Sequence, residues 1–181
     1  MKGIFITLIL LLLSVFGFSQ KDSILPVPAP EPDVTPMSTS STLYVVSKVI
    51  DGDTIIMEME GQSETVRLLG IDTPEVDPQY NPIECYGRQA TDATKDKALN
   101  QTVSLETDTT QGKRDKFDRI LAYVFLADGT NLNEYLVAEG FAKEYTYNKA
   151  YKYQTAFKQS EQEAREQEKG LWSTENCPTG D

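Results

Sequence analysis

The segment VRLLGIDTPE, residues 66–75, joins an apolar strand that contains one arginine to a short acidic loop. Alternating polar and apolar residues from 64 to 69 predict a strand, and a similar pattern runs from 54 to 59. The pair Gly61-Gln62 between the two patterns is a turn signal. The segment therefore predicts the second strand of a β-hairpin, followed directly by carboxylate side chains.

Outward from the hairpin, the chain predicts further strands and three helices. The strands are at 43–50, 102–107, 119–126 and, very short, 141–145, and the helices are at 86–99, 131–139 and 153–169. Asn131 opens the second helix with Glu134 three residues later, which is typical of a capping box, and Gly170 suits the end of the third helix. These elements indicate an α+β domain built on a small barrel, a pattern that the OB-fold shares with other small barrels.

The first 42 residues have a different composition from the rest. Lys2, an apolar run at 4–18 and the small residues Gly17 and Ser19 predict an export signal, residues 1–19, cleaved after Ser19. An uncleaved anchor is the alternative, although the run is short for a membrane span, which needs about 20 apolar residues. Residues 20–42 are rich in Pro, Ser and Thr and predict a linker, so that the folded domain occupies 43–181 with no membrane span in the mature chain.

Composition narrows the chemistry that this chain can perform. Among its 181 residues there is no histidine, and the formal net charge is −11. The lack of histidine excludes Ser-His-Asp and Cys-His nucleophiles, a histidine base and the usual zinc sites. An acidic protein repels a phosphate backbone unless basic residues cluster locally or a cation intervenes. The remaining repertoire is carboxylates, Lys, Arg, Tyr and an oxygen-liganded metal such as calcium or magnesium.

Cys85 and Cys177 are the only cysteines in the chain. In an exported protein an isolated pair is usually a disulfide, and two free thiols are the alternative. A bond would tie the tail after Trp172 to the barrel. On the chain-entropy account, closing so long a loop stabilises the fold by about 4–5 kcal/mol.

Acidic and basic residues gather in three short segments. IDGDT, residues 50–54, lies between two predicted strands, IDTPE, residues 71–75, follows a third, and KRDKFDR, residues 113–119, precedes a fourth. Each segment alone has an ordinary explanation as a turn or a solvated loop, and a lone arginine such as Arg67 is usually an exposed neighbour of a glutamate. Together they supply the groups for phosphodiester hydrolysis. Carboxylates bind a hard cation, a further carboxylate activates water, and arginines hold the phosphate.

The order and spacing of these segments resemble the staphylococcal nuclease (thermonuclease) family. The resemblance extends from residue 43 to 172 and is carried by the motifs VIDGDT, VRLLGIDTPE, ECYGRQA, DKFDRILAYVF, LNEYLVAEGFAK and GLW. It implies an OB-fold five-stranded β-barrel flanked by three α-helices, with one bound calcium ion. It also implies a secreted or periplasmic nuclease that cuts DNA and RNA with little sequence selectivity and leaves 3′-phosphate ends.

The resemblance also implies a role for individual residues. Asp53 and Asp72 would supply carboxylates to calcium, and Thr73 its main-chain carbonyl. Glu75 would act as the general base for the attacking water, or orient that water. The scissile phosphate would be held by two arginines, Arg67 and Arg119, because a guanidinium presents paired donors that lysine lacks.

Substrate contacts outside the centre are implied at the basic segment and at two tyrosines. Lys116 would lie beside a phosphate, with Lys113 or Arg114 as the nearby basic residue, and Tyr145 or Tyr147 would pack against the nucleotide. The expected substrates are single-stranded or frayed DNA and RNA, acted on by a monomer without a stable protein partner.

The chain departs from the family where the family usually has Tyr-Gly-Arg and this sequence has Phe117-Asp118-Arg119. Phe117 lacks a hydroxyl that would contact a substrate phosphate. Asp118 is expected to add a negative charge beside Arg119. Both differences bear on turnover, whereas the reaction class stays the same.

Two other functions are compatible with the fold, which does not by itself determine function. One is a non-catalytic nucleic-acid- or protein-binding module, which would lack several site residues and favour a broad basic face. The other is a calcium-binding structural domain of an envelope protein, which would not need the arginine pair. The complete site and the acidic charge favour the enzyme.

Overall fold

The computed structural model describes residues 42–76 and 84–178. In chain order the elements are β1 (Leu43–Val49), β2 (Thr54–Met59), β3 (Gln62–Leu68), β4 (Ile71–Asp72), α1 (Gly87–Ala98), β5 (Thr102–Glu106), β6 (Ile120–Phe125), α2 (Leu132–Ala138), β7 (Lys143–Glu144), α3 (Gln154–Glu166) and a 3₁₀ turn (Gly170–Trp172). The predicted export signal and all but the last residue of the predicted linker lie outside the described residues. Among those that are described, no helix is long and apolar enough to cross a membrane.

Five strands close into a barrel in the order β1-β2-β3-β6-β5. Neighbouring strands are antiparallel, except that β3 and β6 run parallel. A small separate sheet pairs β4 with β7. The structure confirms the α+β fold, a five-stranded barrel of OB type with three helices packed around it.

The barrel forms because one side of each strand is apolar and turns inward. In the five barrel strands, the largest fully buried non-aromatic side chains are Val46, Ile55, Met57, Val66, Leu68, Val103 and Val124. Leu132 and Leu136 of α2 and Phe157 of α3 are also fully buried and join the same core. Burying one such side chain contributes about 1.5–3 kcal/mol, so the core is the main source of stability.

Three sequence-based assignments are wrong in detail. The hairpin turn is Glu60-Gly61 and not Gly61-Gln62, because both residues have the positive φ that a tight hairpin turn requires and Gln62 already pairs with Met59. The strand predicted at 141–145 shortens to β7 and pairs with β4, outside the barrel. Gly170 does not end α3, which stops at Glu166.

Gly170 instead allows close packing of the chain against α2. It has a φ of 54° and belongs to the 3₁₀ turn, and a Cβ there would collide with the carbonyl group of Gly140. The N–H of Leu171 donates to that same carbonyl oxygen at 2.9 Å. This contact ties the tail of the domain to the end of α2.

The side chain of Asn131 caps α2 as expected. Its side-chain oxygen accepts from the N–H of Asn133 at 3.1 Å and of Glu134 at 3.4 Å. The carboxylate of Glu134 accepts instead from the hydroxyl of Ser160 on α3, at 3.4 Å. The first half of the predicted capping box therefore forms, and Glu134 links α2 to α3.

The two cysteines form a disulfide, with 5.8 Å between the Cα atoms of Cys85 and Cys177. Cys85 lies two residues before α1, and Cys177 lies in the tail after the 3₁₀ turn. The bond therefore connects the start of the first helix to the end of the domain, as the sequence predicts.

One buried carboxylate, that of Asp108, joins three separate parts of the fold. Its oxygens accept from the N–H and hydroxyl of Thr110, from the hydroxyl of Tyr123 in β6 and from the N–H of Lys152 near α3, at 2.7–3.0 Å. Desolvation raises the pKa of Asp108. The hydrogen bonds lower it by more than desolvation raises it, so the pKa lies below the ordinary value.

Asp108→Asn is expected to lower the free energy of unfolding by about 1–3 kcal/mol at neutral pH, because an amide nitrogen would face two donors. The folded-state pKa is depressed, so the carboxylate stabilises the fold fully above its unfolded pKa of about 3.9 and loses that effect as the pH falls further. Urea denaturation should therefore show the difference shrinking below about pH 4. A difference that stays constant down to about pH 2.5 would contradict this account, and Asp92→Asn on exposed α1 is the control.

Candidate active site

The first acidic turn, residues 50–53, is a hydrogen-bonded connection between β1 and β2. The carboxylate of Asp51 accepts the N–H of Asp53 at 3.1 Å. From α1, the hydroxyl of Thr94 donates to the carbonyl oxygen of Gly52 at 2.6 Å. A local bond and a helix contact thus fix the backbone that carries Asp53, whose side chain is buried.

The second acidic segment, residues 71–75, packs directly against this turn. The N–H of Thr73 donates to Oδ2 of Asp53 at 2.9 Å. Gly52 permits the approach, because a Cβ at that position would lie 2.7–2.8 Å from side-chain atoms of Thr73. The glycine therefore determines how closely the two acidic segments meet.

The guanidinium of Arg67 joins the two segments electrostatically. Its Nη2 lies 3.0 Å from Oδ2 of Asp53 and 2.9 Å from Oδ1 of Asp72. Its Nη1 donates to the carbonyl oxygens of Leu68 and Ile71 at 2.8 Å each. The side chain is 14% exposed, so Arg67 is an internal clamp and not the exposed neighbour of a glutamate.

Several carboxylates around Arg67 hold their protons more tightly than usual. Burial, and then the charge of Asp53, raise the pKa of Asp51 to about 6. Both Asp72 and Glu75 have exposed side chains, but partial desolvation of the carboxylates, and then the charge of Asp53, raise the pKa of each against the lowering effect of Arg67. The carboxylates repel one another more than one arginine attracts them, and a bound cation would relieve that repulsion.

Carboxylate and carbonyl oxygens are the ligands that a hard divalent cation prefers, and this cluster contains both kinds. The structure brings Asp53 and Asp72 to a single guanidinium nitrogen and places Thr73 against Asp53. Within residues 42–76 and 84–178, no group of three or more Asp, Glu, His or Cys residues is arranged to hold a metal. The predicted calcium ligands include only two carboxylates, those of Asp53 and Asp72, beside the main-chain carbonyl oxygen of Thr73. Their role in calcium binding therefore stays a prediction.

Glu75 is the last residue of the second acidic segment and is exposed to solvent. Its N–H donates to Oε2 of Glu84 at 3.1 Å, and its carbonyl oxygen accepts from the N–H of Glu84 at 2.9 Å. No sequence pattern singled out Glu84 as a site residue. Its position within ECYGRQA, beside Cys85, was the available signal.

Arg119 is oriented by the carboxylate of Asp115, a residue that no sequence pattern singled out. Its Nε donates to Oδ2 of Asp115 at 2.7 Å, and Oδ1 of Asp115 accepts from the N–H groups of Phe117 and Arg119 at 2.9 and 3.0 Å. One carboxylate thus fixes both the turn before β6 and the direction of the guanidinium.

Strand register brings the two arginines to one side of the barrel. Arg67 in β3 is the register partner of Leu121 in β6. Arg119 precedes Leu121 by two residues, and alternate residues of an extended chain share a face. The register therefore places Arg119, just before β6, in the chain segment next to Arg67.

Arg114 and Asp118 are paired with each other. The guanidinium of Arg114 forms a fork with Glu64, with two N···O distances of 2.9 Å, and also donates to the carbonyl oxygen of Asp118 at 2.6 Å. The 88% exposed carboxylate of Asp118 lies 3.7 Å from Nε of Arg114. The extra negative charge that the sequence predicts beside Arg119 therefore faces Arg114. Any contact between Arg114 and a substrate phosphate would compete with the ion pair that Arg114 makes with Glu64.

Exposed aromatic rings lie in the segments beside the site. Phe117 is 66% exposed, and Nζ of Lys116 and Cζ of Arg119 lie 4.9 and 5.4 Å from its ring centroid. Tyr145 and Tyr147 are also exposed, with ring centroids 6.4 Å apart. The structure therefore offers two neighbouring tyrosine rings where the sequence predicts one nucleotide-packing residue.

The N–H of Tyr145 donates to the carbonyl oxygen of Gly70 at 2.9 Å, just before β4. Because β4 contains Asp72, this bond anchors the tyrosine pair near the second acidic segment. The exposed rings and the acidic cluster thus belong to the same region of the domain.

Comparison with known proteins identifies one matching family model and several similar nucleases. The family model described as "Staphylococcal nuclease homologue" matches residues 65–174, which include both arginines and the second acidic segment but not the first turn. Thermonuclease of Staphylococcus hyicus is 41% identical over 130 residues, covering 72% of this chain and 75% of that protein. Thermonuclease of Staphylococcus intermedius is 42% identical over 129 residues, covering 71% and 75%. Endonuclease YncB of Bacillus subtilis is 37% identical over 129 residues, covering 71% and 60%.

Gly52→Ala should lower the free energy of unfolding by about 1–3 kcal/mol, because the new methyl group overlaps the side chain of Thr73. Thr73→Gly removes all three side-chain atoms that lie 2.7–2.8 Å from that methyl group, so the cost of Gly52→Ala should be smaller in the Thr73→Gly background. Chemical denaturation of both single variants and the double variant measures this coupling. Equal costs in the two backgrounds would show that the contact does not limit the packing of the acidic segments.

Proposed function

The chain belongs to the staphylococcal nuclease family, and from that premise we propose that it is an extracytoplasmic, calcium-dependent endonuclease acting on DNA and RNA. The observation that carries the proposal is the convergence of two acidic segments on Arg67, with Glu75 exposed beside them. The family membership supports the reaction class. Metal, substrate and location are argued from the residues of this chain.

Asp53, Asp72 and the main-chain carbonyl of Thr73 would hold the cation. Calcium would polarise the phosphate and offset the negative charge of the cluster. Magnesium demands stricter octahedral geometry and shorter bonds, so it is expected to bind without supporting the reaction to the same extent. Calcium outside the cell reaches concentrations that fill a weak oxygen site, which fits an exported protein.

Glu75 is the candidate base because the chain contains no histidine. Its carboxylate is exposed, so water reaches it directly. Its raised pKa makes it a stronger base than an ordinary glutamate, and a base is most effective when its pKa approaches the working pH. The role proposed for Glu75 is to orient the attacking water and take its proton.

The two arginines differ in how much of each guanidinium is already engaged. Arg67 uses both terminal nitrogens on neighbouring oxygens of the fold, so it aligns the acidic segments as well as lying near the phosphate. Arg119 is held through Nε by Asp115, and among the described residues its two terminal nitrogens have no hydrogen-bond partner. We therefore assign to Arg119 the main contact with the charge that develops on the phosphate.

The substrate surface favours flexible strands over a rigid duplex. Phe117, Tyr145 and Tyr147 present exposed rings, and unpaired bases stack on aromatic side chains whatever their identity. Contacts from Lys116 and the arginines to phosphates carry no base information, so little sequence selectivity is expected. Cleavage is expected to leave 3′-phosphate ends and to be carried out by a monomer.

Two features support a location outside the cytoplasm. The apolar N-terminal run reads as an export signal, and the Cys85–Cys177 disulfide suits an oxidising compartment. Release into the medium and retention in the periplasm are both compatible with these features.

Glu75→Gln should reduce calcium-dependent cleavage of single-stranded DNA by about 10²–10⁴-fold, because the amide keeps the shape but cannot take a proton. Calcium binding should stay within a few-fold of the parent, since Glu75 is not assigned as a metal ligand. The measurement is cleavage by the purified chain in calcium and in excess chelator, together with calorimetric calcium binding. Glu166→Gln, on an exposed face of α3, is the matched control.

Either of two results would refute these assignments. Normal cleavage by Glu75→Gln would show that the base is another group. Equal cleavage by the parent in calcium and in chelator would remove the metal from the reaction.

Arg119→Lys should lower kcat by about 10²–10³-fold while changing stability much less, because lysine offers a point charge and cannot bond Asp115 and the phosphate together. Steady-state kinetics and urea denaturation of the same preparation separate the two effects. Lys116→Arg serves as the comparison that retains a charge in the same turn. Near-normal turnover in Arg119→Lys would mean that the arginine only supports the turn.

A further inference from the structure

The main chain of Glu75 is held on both sides by one residue, Glu84. The N–H of Glu75 donates to Oε2 of Glu84 at 3.1 Å, and the N–H of Glu84 donates to the carbonyl oxygen of Glu75 at 2.9 Å. The two bonds fix the orientation of one peptide segment relative to another. The side chain that projects from this segment is the candidate base.

The start of α1 packs against the same backbone. A Cβ on Gly87 would lie 2.8 Å from the carbonyl oxygens of Pro74 and Glu75, so glycine is required for this approach. The N–H of Gly87 in turn donates to the carbonyl oxygen of Glu84 at 3.2 Å. Residues 84–87 therefore pack against the backbone of Glu75 and hold it in place, and Cys85 belongs to this segment.

The other half of the disulfide belongs to a well-anchored tail. Cys177 is buried, and its N–H donates to the carbonyl oxygen of Ser173 at 2.9 Å. The side-chain amide of Asn176 donates to the carbonyl oxygen of Gly170 at 2.9 Å, and Gly170 packs against α2. The bond thus links Cys85 to a part of the tail that the rest of the domain holds in place.

We propose that Glu84 is a positioning residue for Glu75 and that the Cys85–Cys177 bond holds Glu84 in place, so that full turnover requires the oxidised chain. The proposal rests on the proposed function, in which Glu75 orients the attacking water. Without the carboxylate acceptor, the N–H of Glu75 loses its partner and the base is less well oriented. Because Arg119 and Lys116 belong to another segment, substrate affinity is expected to change little.

The redox step is a thiol–disulfide exchange with an added dithiol. The dithiol gives two electrons and two protons to the Cys85–Cys177 bond, which breaks to two thiols, while the dithiol closes to its own cyclic disulfide. Cys85 then keeps only non-covalent contacts with the tail, among them the 3.1 Å approach of its Sγ to the carbonyl oxygen of Asn176. Glu84, one residue away, loses the covalent anchor.

The first test compares Glu84→Ala, which removes the acceptor, with Glu84→Gln, which keeps an acceptor oxygen and removes the charge. Hydrogen exchange of the Glu75 amide, followed by ¹⁵N NMR on the full chain, reports the bond without reference to activity. We expect at least about tenfold faster exchange in Glu84→Ala and exchange close to the parent in Glu84→Gln. Unchanged exchange in Glu84→Ala, or equal acceleration in both variants, would overturn the positioning role.

The kinetic test uses the same variants on single-stranded DNA. Glu84→Ala should lower kcat by about 10- to 100-fold with KM nearly unchanged, since a small displacement of a reacting group costs that much. Glu84→Gln should restore most of the rate, and Glu166→Ala is the control for loss of a surface carboxylate. A rise in KM with kcat unchanged would instead assign Glu84 to substrate binding and contradict the proposal.

The disulfide is tested by a double-mutant cycle. Cys85→Ser/Cys177→Ser should lower kcat in the parent but add almost nothing in the Glu84→Ala background, because both changes release the same segment. If the serine variant does not fold, dithiol reduction of the folded parent and of Glu84→Ala replaces it. Additive losses would show that the disulfide acts only through general stability and overturn the link to Glu84.

Nuclease activity and the role of Glu84 are tested by separate results. A parent chain that does not cleave nucleic acid in calcium would refute the proposed function, while the Glu75 amide would still show whether Glu84 holds that segment. An active parent whose rate is unaffected by Glu84→Ala would refute the inference alone.

Discussion

The contact on which the site depends is the ion pair that Arg67 makes with Asp53 and Asp72. Its Nη2 lies within 3.0 Å of both carboxylates, and its Nη1 bonds two main-chain carbonyls of the turn that leaves β3. One side chain therefore joins a barrel strand, the β1–β2 turn and the second acidic segment. Breaking one partner of so enclosed a group leaves buried charge without compensation, which is strongly destabilising. The clamp thus fixes the geometry of the site and constrains the fold.

The clamp also leaves negative charge in excess. Asp51, Asp72 and Glu75 all have raised pKa values, through burial first and through the charge of Asp53 next. A protein that only needed a stable turn would gain from replacing some of these carboxylates. The proposed cation and phosphate substrate would account for these carboxylates beside exposed aromatic rings and a second oriented arginine. On that proposal the net charge of −11 is compatible with nucleic acid, because a cation and the arginines would act locally.

Local patterns predicted the parts of this structure that depend on local chemistry. Strand alternation indicated β2 and β3, the Asn131 cap indicated α2, and two acidic segments at strand ends indicated the candidate site. What the sequence did not reveal depends on contacts between distant residues. Glu84 meets Glu75 across a separation of nine residues, Thr73 meets Asp53 across 20, and Gly170 meets Gly140 in the packed tail. Asp115 was adjacent in sequence to the predicted residues, but a carboxylate in a basic run gives no sign that it will face an arginine four residues on.

The most direct test of the account is a calorimetric titration of calcium into the purified chain and into Asp53→Asn. We expect one ion per chain and, in Asp53→Asn under conditions where circular dichroism shows that variant to be folded, a loss of affinity of at least about tenfold, because that carboxylate is the one that both acidic segments share. Asp108→Asn, whose carboxylate serves only the fold, should bind calcium as the parent does under conditions where it is folded. Absence of calcium binding, or equal binding by the parent and Asp53→Asn, would contradict the claim that the Arg67 cluster is a cation site.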